Sequence, residues 1–278
     1  MSYSTPATRL PSNRSTESLH TQRIRLKPAE VLAARDITSL VWAEDALSFV
    51  HSARTGLGEL QLIVEDVQVA NAVQEITREL PYRRDKTPHW SWIEWDTYDP
   101  WPPSCYPYSI SLSATTHHRI LWKTGKPARI FIHPQSYFSV DVNDQNRTLA
   151  LDHFSPKIRF PTLPAFIDSV TAVLLDPPLG YLHSCLATFM RGYLAELLYF
   201  PFQGNNPLKP NGELCKNYAS VAQLLREENR PYFVSYLKRH GKVVWEHEVE
   251  IRRAILEKMG SAGIHCSLAH ETLVANEH

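Results

Sequence analysis

The sequence predicts an α+β protein, in which a mixed β-sheet domain is followed by a C-terminal helical bundle. Three observations carry this expectation. Between residues 40 and 66 a helix pattern, a turn holding Gly56 and Gly58, and a buried-strand pattern follow one another. From 109 to 142, alternation and short aliphatic runs indicate strands. From 162 onward, apolar residues recur three or four positions apart, the period of an α-helix.

In chain order, residues 1–22 are rich in Ser, Thr, Pro and Arg and read as a disordered tail. Pro28 to Arg35 reads as a helix with proline in its first turn. A second helix runs from Trp42 to Val50, with Val41, Leu47 and Val50 on one side. Leu60 to Val64 is a strand, bounded by Gly58 before it and by Glu65 and Asp66 after it. Val67 to Leu80 returns to helical spacing, and Pro81 ends it. The basic run Arg83 to Lys86 reads as a solvated loop. His89 to Tyr108 concentrates tryptophan, tyrosine and proline, and its aromatic side chains suit a cover over a sheet edge or a platform for a planar ligand. Ile110, Leu112 and Ala114 alternate with serines, and Arg119–Thr124 and Arg129–His133 read as two further strands. Helices are expected over 164–175, 179–200, 213–226, 231–241 and 242–259. Glu248 and Arg252 are placed for an ion pair on the last of these. Residues 260–278 read as a tail. The domains so drawn are 23–160, α/β, and 161–259, helical.

Composition narrows the class. The chain has 278 residues, 43% of them hydrophobic and 21% charged, which is globular rather than disordered. Lysine plus arginine equals aspartate plus glutamate at 29 each, so no overall field draws the protein to nucleic acid or membrane. No apolar run is long enough for a membrane span and no signal-peptide pattern is present, so a cytoplasmic location is expected. Cys105, Cys185, Cys215 and Cys266 are far apart, which argues against a thiolate zinc site and against a disulfide-linked partner.

The order helix, glycine-bearing turn, then a strand beginning with acidic positions resembles the nucleotidyltransferase fold. More closely, the segment WAEDAL followed by GELQLIVED looks like a group of fungal nucleotidyltransferase-like proteins. The likeness extends loosely through HPQSYFSVDV, LLDPPLG and REENRPYFVSYL to about residue 258. The resemblance implies a small-residue pair before the helix and an acid-x-acid pair on the strand that holds divalent metal.

This sequence departs from both. The small-residue pair falls on Ala43 and Glu44, and the acid-x-acid pair on Glu59 and Gln61. Magnesium takes anionic oxygens in near-octahedral array, and Gln61 offers only a neutral carbonyl. Mg2+ is therefore conceivable as a cofactor only with an incomplete ligand set, and no metal ligands are assigned. A third carboxylate would come from Glu94 or Asp96 if their segment is the neighbouring strand.

The site expected on this basis has Glu44, Asp45 and Glu59 as acid, base or ammonium-binding groups. Gln61, Glu94, Asp96, Trp92, Trp95 and Arg191 would bind substrate. Carboxylates of this kind suit an amine or guanidinium partner. The function expected is group transfer, acyl or nucleotidyl, in fungal specialised metabolism, on a small-molecule substrate. One alternative is a tRNA-dependent aminoacyl transferase such as an arginine-containing cyclodipeptide synthase. Another is a non-catalytic binding protein that keeps the scaffold alone.

Overall fold

The computed structural model describes residues 15–85, 109–116, 125–177 and 184–260. The architecture is α+β: one seven-stranded mixed sheet, with helices before and among its strands and five more helices after it, among the described residues.

The chain enters through α1 (Leu19–Arg25) and α2 (Lys27–Ala34). Strand β1 (Ser39–Trp42) then leads into α3 (Ala43–Val50). After β2 (Leu60–Val64) comes α4 (Val69–Glu79), and then the strands β3 (Tyr82–Arg84), β4 (Ile110–Ala114), β5 (Arg129–Pro134), β6 (Thr148–Ala150) and β7 (Ile158–Pro161). The strands lie in the order β3-β4-β5-β2-β1-β7-β6. Strand β2 runs antiparallel to β1 and parallel to β5, while β1 and β7 are parallel. The remaining helices are α5 (Leu163–Leu175), α6 (Ser184–Tyr199), α7 (Lys216–Leu224), α8 (Arg230–Lys238) and α9 (Trp245–Lys258).

Each helix has a local cause. Thr162 caps α5 by accepting from the Ala165 N–H, and prolines occupy the first turns of α2, α5 and α8, where a missing N–H costs nothing. All thirteen residues of α5 are buried, so it is a core helix rather than an amphipathic one. One apolar cluster runs from Leu26 through the sheet to Val249, joining strands and C-terminal helices.

Period-two pairing gives the sheet two unlike faces. Leu60 pairs with Ile130 and Leu62 with Ile132, and Ile110 and Leu112 extend the same aliphatic face across β4. Helices α2 and α4 pack here. On the opposite face Trp42 pairs with Gln61, Gln61 with Phe131 and Phe131 with Ser111. Trp42 donates its indole N–H to Ser169 of α5 at 3.1 Å and packs against Tyr193 of α6, so α5 and α6 cover this face at its β1 end.

Several expectations need correction. Residues 15–22 are ordered rather than a tail, since Ser18 caps α1 and the Thr16 N–H reaches the Ser48 carbonyl at 2.9 Å. The basic run is not a loop throughout, because Tyr82–Arg84 forms the edge strand β3. Strands β6 and β7 are short and lack clear alternation, and their pairing with β1 is a long-range choice that local pattern does not carry. Glu248 accepts from Ser235 at 2.7 Å and Arg252 reaches Asn229 and Asp176, so the anticipated intrahelical pair is replaced by tertiary bonds. The expected strand Arg119–Thr124 lies wholly within 117–124, outside the described residues.

Candidate functional site

The polar face of the sheet and the start of α3 form the candidate site. Ala43, at the junction of β1 and α3, has a φ of 56°. A non-glycine residue in this left-handed region costs about 1 kcal/mol or more, and such strain persists only where the surroundings hold it. Its effect is to set Glu44 on the first turn of α3, against α6.

Glu44 Oε1 accepts from the Tyr193 hydroxyl at 2.9 Å, whereas its Oε2 is buried and has no hydrogen-bond partner. Burial pushes this carboxyl up to about 7. The charges of Asp45 and Glu59 push the same way, and bonds from its own backbone N–H and from Tyr193 oppose them. A carboxyl poised near neutrality can take or give a proton at working pH.

The adjacent acid has a different setting. Asp45 is fully buried and receives two bonds of 2.6 Å from Arg25, a bidentate pair, while Arg25 also donates to the Gly58 carbonyl at 3.0 Å. This pair ties α1 to α3 and to the turn before β2. Glu59 receives the Arg129 guanidinium at 3.3 Å, and the same Arg129 lies 3.5 Å from Asp85, so one cation is shared between two carboxylates. Asp85 also accepts from Ser111 and, at 3.0 Å, from Ser113.

Gln61 is buried, and its Oε1 lies 3.2 Å from His133 Nε2 on β5. His133 Nδ1 lies 2.6 Å from the Ser109 hydroxyl. Burial holds His133 far below the usual histidine range, at about 3, so the ring is neutral.

The structure brings Glu44, Asp45, Glu59 and Gln61 to one corner of the molecule. The two neighbours of β2 are β1 and β5, and the residue facing Gln61 on β5 is Phe131. Trp92, Glu94, Trp95 and Asp96 lie outside the described residues. Arg191 is exposed on α6 rather than buried in a cleft, and its charge acts on Tyr232 and Tyr236 of α8.

Sequence reasoning missed Tyr193, Asp85, Arg129, His133 and Ser109. The signal was present in the alternation of 109-111-113 and of 129-131-133. Ser109, just before β4, Ser111 and Ser113 on it, and Arg129 and His133, flanking Phe131, on β5 put polar groups on the same side, and a polar stripe shared by two strands marks a face that is not simply core.

Among the described residues, the donor set at this corner does not fit a pair of magnesium ions. Glu59 is engaged by Arg129, Gln61 is neutral and bonded to His133, and Phe131 stands at the remaining position. Among the described residues, no group of three His, Cys, Asp or Glu side chains is placed to hold a metal ion. Also among them, no helix is long and apolar enough to cross a membrane, and Cys215 is a free thiol. Neither the family models nor the curated proteins compared with this chain give a match.

Proposed function

We propose that this chain is a group-transfer enzyme on a nucleotidyltransferase-like scaffold. Its chemistry runs on a buried carboxyl in place of paired metal ions, and Glu44 is its general acid–base. The observation that carries this reading is the Glu44 side chain itself. One oxygen is anchored by Tyr193, the other is buried without a donor, and the group sits close to neutrality. A buried carboxylate oxygen without a partner is costly unless something supplies the missing hydrogen bond, and a substrate N–H or O–H would do so.

The strained junction at Ala43 supports the same reading, since strain of this kind gathers at sites where a side chain must be aimed. Asp45 is a positioning residue here, because both its oxygens are held by Arg25. Glu59 contributes field rather than a free base.

The test offers the purified protein two panels: nucleoside triphosphates with magnesium, and a mixed pool of aminoacyl-tRNAs with small amines as acceptors. Mass spectrometry follows the products. Glu44-dependent consumption of an acyl donor is expected, with Glu44→Gln lowering turnover by roughly a hundredfold. Magnesium-dependent nucleotidyl products that survive Glu44→Gln would overturn the assignment.

A further inference from the structure

A second constellation stands on the same polar face and shares Gln61 with the Glu44 corner. Ser109, His133 and Gln61 precede or lie on three neighbouring strands, β4, β5 and β2, and form one chain of hydrogen bonds, 2.6 Å from Ser109 Oγ to His133 Nδ1 and 3.2 Å from His133 Nε2 to Gln61 Oε1. The direction of that chain follows from donor inventory. An amide oxygen can only accept, so Nε2 carries the ring hydrogen. Nδ1 then presents a lone pair, and the Ser109 hydroxyl must be the donor. Ser109 keeps part of its surface exposed, while His133 and Gln61 are enclosed. Rings of Phe131, Tyr137 and Phe138 surround the imidazole and fix its plane.

We propose that Ser109 is a covalent nucleophile that takes an acyl group from an activated ester, with His133 as its general base and Gln61 as the group that fixes the imidazole tautomer. The Ser109 Oγ forms a bond to the ester carbonyl carbon as its proton passes to His133 Nδ1. Collapse of the tetrahedral adduct breaks the bond from that carbon to the leaving oxygen, which takes the proton from Nδ1 and departs as an alcohol. Attack by an amine or water on acyl-Ser109 runs the same proton path in reverse and restores the hydroxyl. No metal, oxidant or reductant enters the balance. The assignment rests on the group-transfer reading and narrows it to acyl chemistry.

Gln61 is neutral, so it supplies no charge to the imidazolium that forms during attack. The nucleophile is therefore a modest one, and placing an anion there should strengthen it. The full-length protein is treated with a fluorophosphonate, which reacts with activated serines, and the adduct is mapped by peptide mass spectrometry. An adduct on Ser109 is expected, absent from Ser109→Ala. His133→Asn should slow its formation roughly a hundredfold, and Gln61→Glu should quicken it roughly tenfold. Circular dichroism establishes that each variant is folded, and Gln61→Glu provides a gain that misfolding cannot imitate. No adduct on Ser109 in either the natural protein or Gln61→Glu would overturn the proposal. So would an adduct whose rate ignores both His133 and Gln61. Labelling requires neither an acceptor nor Glu44, so its failure counts against Ser109 alone, whereas lost transfer with labelling intact counts against Glu44.

Discussion

The two faces of the central sheet are built from the same strands and meet opposite demands. On one, Leu60, Leu62, Val64, Leu112, Ile130 and Ile132 are fully buried under α2 and α4, and every atom contributes to burial. On the other, β2, β5, β4 and their margins place Glu59, Gln61, Ser109, Ser111, Ser113, Arg129 and His133, and Asp85 completes an ionic network at the β3 end. Polar groups taken out of water must be individually satisfied, so this second face costs stability for each of its members. A chain that needed only a stable sheet would have filled it with aliphatic residues. The difference shows where the fold is held and where it is put to use.

The largest effect should come from the apolar face. Leu62 is fully buried at the centre of the sheet, and Leu62→Ala should lower unfolding free energy by about 2–5 kcal/mol through lost burial and the cavity left behind. Urea unfolding at constant m-value measures this. A loss below about 1 kcal/mol would remove the contrast, since the aliphatic side would then be no better packed than its reverse.

Glu44 should behave in the opposite sense. Its carboxyl stands at about 7 against an ordinary 4.5, so the folded state holds the proton more tightly than the unfolded chain. The folded protein is then favoured at low pH. Its stability falls as pH rises between 4.5 and about 7, and levels off above that window. The separation corresponds to about 3 kcal/mol at most. Glu44→Gln, which cannot ionise, should therefore stabilise the protein above pH 7 and leave it unchanged below pH 4.5. Paired urea titrations across that range would show the divergence. Equal stabilities throughout would mean that the natural carboxylate is as well solvated as a surface acid, and the site reading would lose its main support.

How much of this was legible beforehand follows from the range over which each signal acts. Strand Leu60–Val64 and helix α3 are set by local period and turn residues, and the structure has them within one residue of the expectation. That Glu44 and Glu59 share a corner also followed from the short reach between α3 and β2. Asp45 was placed beside Glu44, but nothing local says that Arg25, twenty residues earlier, takes both its oxygens. The choice of β5 as the second neighbour of β2 is a pairing across about seventy residues. It put Phe131 opposite Gln61 and brought in His133. Arg191 was judged from a helix rich in apolar residues, and its exposure depends on which sector of α6 the neighbouring helices leave uncovered.

The smallest effect separates a site from a core on the polar face itself. Ser111 is nearly buried and donates to Asp85, which keeps its bond from Ser113 at 3.0 Å and the Arg129 guanidinium at 3.5 Å when that donor is removed. An acceptor with remaining partners loses only the net worth of one hydrogen bond, so Ser111→Ala should cost about 1 kcal/mol or less in thermal or urea unfolding. A cost above about 3 kcal/mol would mean that Asp85 has no slack. The network from Asp85 through Arg129 to Glu59 would then be as finely fitted as the aliphatic side, and its charges would serve to hold the sheet together.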